Sequence, residues 1–383
     1  MIKETKKAPT IRFRYFTDDW EQLKLSTVTD CIDTGKSKFS SKKSGLYKIL
    51  GSTSIIGYDD TYDYEGNFLL TARVGANAGN LYRYAGKVKI SDNTVFIQSK
   101  HIDFLFCLLT HFDIKKLSFG TGQPLIKASE LRNLQLLMPV NDSEKEKIGK
   151  VFSDLDNFIT LHQRKLDQLK TLKKYFLQNM FPAKGEKVPR IRFKGFTGDW
   201  EQRKLEDFGE IITGSTPSTN NPEYYSEDGI PWVTPTDILE NTISNTSRKL
   251  SKEGEKVSRV VPANSILVTC IASIGKNTML TTKGSFNQQI NGIIPDKQNY
   301  NPYFLLTESN IWSKEMIAKA AAGTMQIVNK HEFSSIKTMV PSLTEQQYIG
   351  ALFEKLDYTV TLHQRKLDQL QTMKKFMLQN MFI

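Results

Sequence analysis

Thr160-Leu-His-Gln-Arg-Lys-Leu-Asp-Gln-Leu169, continuing to Phe181, decides the architecture, because it returns as Thr361-Leu-His-Gln-Arg-Lys-Leu-Asp-Gln-Leu370, continuing to Phe382. Eighteen of the 22 positions are identical at an offset of 201. A shorter leading block, residues 9–25, returns as residues 189–205 with 12 of 17 positions identical. An internal repeat constrains the architecture before any other feature does. The chain is therefore a duplication with a pseudo-twofold order.

The repeated 22-residue block ends a segment that has the pattern of a long helix. From Glu144 to Met180 is 37 residues, or about 55 Å of helix. Apolar residues recur in alternating steps of three and four, which is a heptad seam. Ser143 and Thr344 are the expected N-caps of the two copies.

A seam of this length needs a partner, and the other copy is the economical one. Connection through a globular domain favours an antiparallel coiled-coil pair. The expected seam residues are Phe152, Leu155, Ile159, His162, Leu166 and Leu169 in the first helix, and Phe353, Leu356, Val360, His363, Leu367 and Leu370 in the second.

The two seam histidines have two interpretations. As polar residues in an apolar seam, His162 and His363 set the register of the helix pair. A pH-sensitive or metal site is the alternative, but the other ligands that such a site needs are missing. We favour the register role and predict no metal.

Between the repeated blocks lie two inserts with little sequence in common, residues 26–142 and 206–343. Both have strand-like runs between turn residues, followed by a helical stretch. Both also end alike, with Gly120-Thr-Gly-Gln123 matching Gly323-Thr-Met-Gln326. The expected fold is mixed α/β (α+β), with two similar globular domains joined by the two helices. We divide the chain into residues 1–142, 143–181, 182–343 and 344–383.

Composition restricts the class of partner. The net charge is +11 with 39% hydrophobic residues, which suits a folded protein with a polyanionic partner. No apolar run is long enough to span a bilayer, and the N-terminus lacks the apolar core of a signal peptide. Three separated cysteines, Cys31, Cys107 and Cys270, indicate buried free thiols. We expect a soluble cytoplasmic protein.

Insert loops in both halves carry side chains that suit phosphates and base edges. A solvated loop position is the alternative explanation for each of them singly. The candidates for DNA contact are Lys36, Lys38, Lys42, Lys43, Tyr47, Arg73 and Arg83 in the first insert, and Thr216, Ser218, Thr219, Asn220, Asn221, Tyr224, Tyr225, Arg248 and Lys276 in the second.

Sequence signals for catalysis are missing or weak. Asn301-Pro-Tyr-Phe304 is close to an amino-methyltransferase motif, but it lacks the second proline and no glycine-rich cofactor loop accompanies it. Pro302 is better explained as a first-turn helix residue. There is no Walker A motif and no nuclease-type carboxylate cluster. We expect no catalytic residue and no bound cofactor.

Several motifs together resemble the specificity subunits of type I restriction-modification systems. They are the duplicated Phe-Thr-x-Asp-Trp-Glu-Gln blocks, residues 213–219, 229–237 and 340–349, and residues 47–58. The resemblance covers nearly the whole chain. It implies two target-recognition domains on a helical spacer, each reading half of an asymmetric, bipartite site in double-stranded DNA.

The resemblance also implies partners. Two modification subunits would bring S-adenosylmethionine for adenine methylation, and two restriction subunits would cleave DNA with ATP and magnesium. This chain would be the non-catalytic guide. Two rival interpretations remain, a coiled-coil scaffold that binds only proteins and a stand-alone methyltransferase. The scaffold leaves the basic charge and the divergent inserts unexplained.

Overall fold

A computed structural model describes residues 7–38, 42–118, 124–321 and 327–383. The two matching Gly-Thr segments, 120–123 and 323–326, lie outside these ranges. The structure divides into two compact units. The first takes the described part of residues 1–163 together with Arg365–Ile383, and the second takes Arg164–Gln364. The expected mixed α/β class is confirmed, whereas the linear four-segment division stays a prediction.

One mainly antiparallel sheet and one antiparallel strand pair form the β part of the first unit. Six strands follow the order β2-β7-β5-β6-β3-β4, with only β3 and β6 parallel, and β1 pairs with β8. The strands are β1 (Glu21–Lys24), β2 (Cys31–Thr34), β3 (Tyr47–Leu50), β4 (Ile55–Asp59), β5 (Tyr64–Ala72), β6 (Leu81–Ile90), β7 (Thr94–Gln98) and β8 (Gln135–Met138).

The second unit has a two-stranded sheet that matches the one in the first and two larger sheets of its own. These follow the orders β10-β18-β15-β16-β12 and β13-β11-β17-β14, and β19 pairs with β9. The strands are β9 (Glu201–Lys204), β10 (Gly209–Thr213), β11 (Tyr225–Val233), β12 (Thr242–Ile243), β13 (Lys249–Leu250), β14 (Val260–Val261), β15 (Ile266–Thr269), β16 (Asn277–Leu280), β17 (Gly284–Phe286), β18 (Ile290–Pro295) and β19 (Lys337–Val340).

The helices confirm the expected long segments. Each long helix, α3 and α7, has 38 residues. The helices are α1 (Ile102–Phe112), α2 (Ala128–Asn133), α3 (Asp142–Asn179), α4 (Lys252–Lys256), α5 (Pro302–Ala321), α6 (Lys330–Ser334) and α7 (Leu343–Asn380). Pro302 opens α5, which supports its role as a first-turn residue.

The two expected N-caps are wrong by two residues each. The Asn141 side chain accepts a hydrogen bond from the Ser143 backbone N–H at 2.9 Å. Ser342 Oγ accepts from the Glu345 N–H at 3.5 Å. Asn and Ser both serve as caps, so the chain uses the cap that lies just before each helix and includes Ser143 and Thr344 in the first turn.

Within each unit, one part of α3 packs on one part of α7. In the first unit Phe152 and Leu155 share a buried core with Leu370 and Met381. In the second, Leu169 and Met180 share one with Phe353 and Leu356. Because early α3 residues meet late α7 residues, the contacts are antiparallel. Ile159 and Val360 are half-buried at these cores.

The remaining expected seam positions also face inward. Leu166 and Leu367 are buried, whereas His162 and His363 are half-buried. Lys173 and Lys374 interrupt the apolar pattern further along the two helices, and each has a charged partner. Lys374 pairs with Asp156, and Lys173 pairs with Asp357. Opposite charges thus replace apolar packing at one position in each unit.

An aromatic cluster joins the leading block, the insert and both helices of each unit. The Phe382 ring packs against Trp20, Phe104 and Phe152, with centroid distances of 6.2, 5.9 and 5.9 Å. Phe181 occupies the same place in the second unit, where Trp200, Phe304 and Phe353 lie at 5.8, 5.7 and 6.0 Å. Burial of such rings dominates core energetics. The repeated residues therefore build the same framework twice.

A buried ion pair fixes each leading block to the start of a long helix. Arg12 donates two hydrogen bonds to Glu144, at 2.7 and 2.8 Å. Arg192 donates two to Glu345, both at 2.7 Å. Each carboxylate is only 1% exposed. Bidentate geometry of this kind is required if a buried charge pair is to offset its desolvation.

Candidate nucleic-acid interface

Each insert is attached to the helices at an equivalent aspartate. In the first unit Arg83, on β6, donates to Asp156 at 2.7 Å and also pairs with Asp103. In the second unit Asn241 donates to Asp357 at 2.6 Å, and the Tyr303 hydroxyl does so at 2.9 Å. We name these two contacts the insert joints. Both were missed from the sequence, since nothing local marks a residue that meets a helix 73 positions away.

Arg83 was a candidate for DNA contact, and the structure places it in the first insert joint. Its guanidinium group also lies 4.4 Å from the centre of the Phe106 ring. Three partners hold this side chain, which is 25% exposed. Arg73 is half-buried, and its Nη1 donates to the Asp92 carbonyl at 3.5 Å. These two arginines are therefore held by the first unit itself.

The other first-insert candidates lie in two places, with Lys36 and Lys38 on either side of Ser37, which bridges to Ser91, and Lys42, Lys43 and Tyr47 at or just before β3. Lys36, Lys38 and Lys43 are exposed. Lys42 pairs with Asp60 at 2.6 Å, and this bond raises the pKa of the lysine. Tyr47 packs against Tyr62 with ring centres 5.0 Å apart.

Neighbouring strands add basic and aromatic residues that the sequence reasoning missed. Lys87 lies 4.8 Å from the Tyr62 ring centre, and Lys48 lies 5.4 Å from that of Tyr84. Lys89 pairs with Asp59 at 3.2 Å. The signal was present in β6, where lysines alternate with apolar residues at 87–90. Lysines beside tyrosine rings offer both phosphate neutralisation and base stacking.

In the second unit the structure brings three candidates together. A surface cleft of about 350 Å³ is lined by Thr219, Tyr225 and Arg248. The Arg248 guanidinium lies 5.7 Å from the Tyr225 ring centre, and the Tyr225 hydroxyl donates to the Pro217 carbonyl at 2.9 Å. The aromatic ring is thus fixed while the arginine stays exposed. We name this the Arg248 cleft.

The remaining second-insert candidates have varied surroundings. Thr216 bonds to Gln288, and Asn221 caps the short turn that contains Tyr224. Ser218 and Asn220 are exposed. Lys276 lies elsewhere in the unit, at a second cleft with Asn241 and Lys314. The structure therefore does not gather all the candidates into one site.

The cysteines of the chain are free thiols that differ in burial. Cys107 and Cys270 are buried free thiols, and burial raises their pKa to about 12 and about 11. Cys31 is only half-buried, so its expected burial is wrong. Among the residues that the structure describes, no cluster of three potential metal ligands occurs. Across those same ranges no helix is sufficiently long and apolar to cross a bilayer.

The family model for the type I restriction modification DNA specificity domain matches residues 17–171 and again 197–372. The two matches cover most of the chain and coincide with its internal repeat. The chain therefore belongs to this family.

Curated relatives carry the same kind of name. The type I restriction enzyme HindI specificity subunit of Haemophilus influenzae is 34% identical over 165 residues, which are 41% of this chain and 36% of that protein. The MjaVIII specificity subunit of Methanocaldococcus jannaschii is 24% identical over 335 residues, 81% of this chain and 76% of that protein. The match to HindI thus spans about a third of the relative's own length.

A solved structure agrees over a longer stretch. The type I restriction-modification S subunit from M. genitalium superposes with a TM-score of 0.73 at 14% identity, covering 98% of this chain and 99% of that one. At this identity the likeness shows the fold alone. It confirms the expectation of two repeated domains with long helices.

Proposed function

We propose that this chain is the specificity subunit of a type I restriction-modification complex and reads an asymmetric, bipartite site in double-stranded DNA. One observation carries the proposal. The two units share the aromatic cluster, the buried Arg–Glu pair and the two-stranded sheet, yet their inserts differ in strand order and surface. A constant frame with two different inserts suits two readers of two different half-sites.

The DNA-contacting groups would be the exposed candidates of each insert. In the first unit these are Lys36, Lys38, Lys42 and Lys43 with Tyr47, and in the second the Arg248 cleft with Thr216, Ser218, Asn220 and Lys276. Exposed lysine and arginine neutralise phosphates, whereas arginine and asparagine also make bidentate base contacts. Arg83 and Arg73 would act through the fold of the insert, because their guanidinium groups already have protein partners.

In the proposed function this chain has no catalytic step of its own. Adenine methylation would belong to two modification subunits that carry S-adenosylmethionine. Cleavage would belong to two restriction subunits with ATP and magnesium. Methylation of a base inside a duplex requires that the partner extrude that base, so the role of this chain is to select the site.

Exchange of one insert tests whether each insert reads its own half-site. Residues 26–142 would be replaced by the corresponding insert of a relative, and methylated adenines would be mapped by long-read sequencing in cells that also carry the modification subunits. We expect one half-site to change and the other to persist. A change in both halves would contradict two independent readers, and unmethylated DNA with an intact complex would favour the scaffold interpretation.

The helices provide a second test. Each has 38 residues, or about 57 Å at the α-helical rise. We infer that they set the gap between the half-sites. Inserting one heptad into both helices should lengthen the unspecified spacer while both half-site sequences persist. An altered half-site would contradict a spacer role.

Single side chains of the Arg248 cleft can be tested by the salt dependence of DNA affinity. Arg248→Ala should weaken binding, and if Arg248 meets a phosphate, the slope of log affinity against log salt should fall by about 1. Lys256→Ala, which removes an exposed lysine paired with Glu253 in the same unit, is the matched control. Equal effects of the two changes on DNA affinity would show that Arg248 contributes only general positive charge and makes no specific contact.

A further inference from the structure

A glycine of each long helix comes close to the backbone of an insert helix. A Cβ added at Gly149 would lie 2.8 Å from the Phe104 backbone nitrogen, and one added at Gly350 would lie 3.1 Å from that of Phe304. The two glycines are 201 positions apart, which is the offset of the long helices, and the two phenylalanines are 200 positions apart. Helices α1 and α5 therefore correspond at an offset of 200. We name these two close approaches the glycine contacts.

Each insert joint lies seven residues beyond the glycine contact on the same long helix, at Asp156 in α3 and at Asp357 in α7. Seven residues of α-helix span about 10.5 Å and fall only about 20° short of two full turns. The two contacts of each unit therefore lie on one face of the helix. A body that is held at one point can turn about that point, and a second point of attachment removes most of this freedom.

The first joint connects the insert sheet, an insert helix and both long helices. Arg83 extends from β6 and pairs with Asp103 of α1 and with Asp156 of α3. Lys374 of α7 pairs with the same Asp156. Apolar packing between the insert and α3 is non-directional, whereas these ion pairs hold the sheet at one angle to α3.

The second joint connects the corresponding elements through different donors. Asn241, directly before β12 of the five-stranded sheet, donates to Asp357 at 2.6 Å, and Tyr303 of α5 donates to it at 2.9 Å. Lys173 of α3 pairs with the same carboxylate. At the offset of 200, Tyr303 corresponds to Asp103, so one helix position takes part in both joints. An aspartate there needs a cation between two carboxylates, whereas a tyrosine donates directly. The two inserts thus form the same connections with unlike residues.

A cleft of about 720 Å³ borders the first joint. The sheet contributes Asn67 and Tyr84 to its lining, and α3 contributes Lys150 and Ser153. Arg83 lines the same cleft, so its ion pairs join the sheet to α3 beside an open volume. The sheet therefore has room to move relative to α3 once the joint is removed.

We propose that the insert joints are positioning contacts, which fix the angle between each insert and its long helix and so restrict the DNA spacer to one length. This inference rests on the proposed reading of a bipartite site. A half-site that moves by one base pair is displaced by about 3.4 Å and turned by about 35° around the duplex axis. An insert that is held at both contacts resists this displacement, whereas an insert held at the glycine contact alone can turn to follow it.

Methylation of a set of spacer lengths tests the proposal in cells that carry the full chain and its modification subunits. Long-read sequencing of methylated adenines first gives the wild-type motif and its spacer. A plasmid pool then presents the same two half-sites with that spacer and with spacers one or two base pairs shorter or longer. Arg83→Met should raise methylation at a spacer that differs by one base pair about tenfold relative to the wild-type spacer, the factor that corresponds to one hydrogen bond to a charged group.

The same experiment separates this inference from the proposed function. A wild-type chain that directs no methylation to a bipartite motif would contradict the proposed function. A bipartite wild-type motif, together with an Arg83→Met variant that methylates only the wild-type spacer, would overturn the positioning role alone. Changed bases in either half-site of the variant would also overturn it, because Arg83 would then act on base reading.

Arg132→Met is the matched control within the first insert. Arg132 of α2 donates two hydrogen bonds to the Ile32 carbonyl, at 2.9 and 2.6 Å, so it is a charged donor that joins two parts of the insert and takes no part in the joint. Its loss should destabilise the insert and leave the spacer unchanged. Equal relaxation of the spacer by Arg132→Met and Arg83→Met would mean that any loosening of the insert has this effect, and the positioning role would be wrong.

The second joint offers a separate test, because its donors can be removed one at a time. Asn241→Ala and Tyr303→Phe each remove one hydrogen bond to Asp357, and the double variant should relax the spacer more than either change alone. Arg83→Lys, which keeps a cation for Asp156, should retain the wild-type spacer. Relaxation by Arg83→Lys as large as that by Arg83→Met, in folded protein, would contradict a role for the charge pair.

Discussion

The two units attach their inserts to the same helical position with different chemistry. Asp156 receives the charged Arg83, whereas Asp357 receives the amide of Asn241 and the hydroxyl of Tyr303. By contrast, the leading blocks attach identically, through Arg12–Glu144 and Arg192–Glu345. The repeated framework of leading blocks and long helices therefore depends on particular residues, whereas an insert needs only a hydrogen-bond donor to the aspartate at its joint. Unrelated inserts can therefore occupy one frame.

The largest expected effect is loss of a buried ion pair. Glu144→Leu leaves Arg12 largely buried without its carboxylate and should cost about 3–5 kcal/mol of stability. Glu345→Leu should cost the same in the second unit, since the geometry is the same. Hydrogen exchange measured unit by unit would report each loss. Clearly unequal losses of stability would show that the two ion pairs are not energetically equivalent.

Glu308 is a buried carboxyl in the second unit at the position where the first unit has Leu108. Its folded pKa of about 8 lies above the ordinary value of 4.5, so the folded state keeps a proton that the unfolded state releases. Wild-type stability should therefore fall as pH rises from 4.5 to 8. In urea unfolding, the gain in stability of Glu308→Leu over wild type should be roughly 4 kcal/mol larger at pH 8 than at pH 4.5, since one pKa unit corresponds to about 1.4 kcal/mol.

Leu108, in the first unit, is the matched control position for that experiment. Leu108→Met keeps the side chain apolar and should show no pH-dependent change relative to wild type. A constant gain for Glu308→Leu at all pH values would mean that the glutamate is ionised in the fold.

The close approach of helices should be sensitive in both units. A Cβ at Gly149 would lie 2.8 Å from the Phe104 backbone nitrogen, and one at Gly350 would lie 2.4 Å from Asn301 Oδ1. Either change to alanine should cost about 1–3 kcal/mol through overpacking. Thermal unfolding would measure it. Gly198→Ala, where open space surrounds the added carbon, should be close to neutral.

The insert joints should give the smallest effects. Arg83→Met removes a charged donor from Asp156 but leaves Lys374, and should cost about 1–2 kcal/mol. Asn241→Ala leaves Tyr303 and Lys173 on Asp357 and should cost about 1 kcal/mol. Exchange rates in β6 and β16 would report the loosening. A loss of stability as large as that for the buried ion pairs would show that the insert joints are as important for folding as the repeated framework.

Much of the fold was readable in the sequence, but the contacts of the inserts were not. The strand-like runs and the helical stretch expected in each insert are found as the strands β5, β7, β15 and β18 and the helices α1 and α5, because their apolar runs lie between turn residues. Strand β6 was missed although it lies inside the sheet, since its mixture of lysine, tyrosine and glycine hides the period of two. The DNA contacts stay predictions, because exposed loop residues carry no local signal of their partners.

What the sequence determined alone was the duplication and the two long helices. Identity at 18 of 22 positions and a heptad period need no structure to be read. Only the tertiary structure decided that each unit draws on both helices, with Phe382 in the first aromatic cluster and Phe181 in the second. It also buried Glu308 in the second unit, where the corresponding residue of the first unit is Leu108. Burial and partners depend on distances across the fold, and a linear pattern records only spacing along one element.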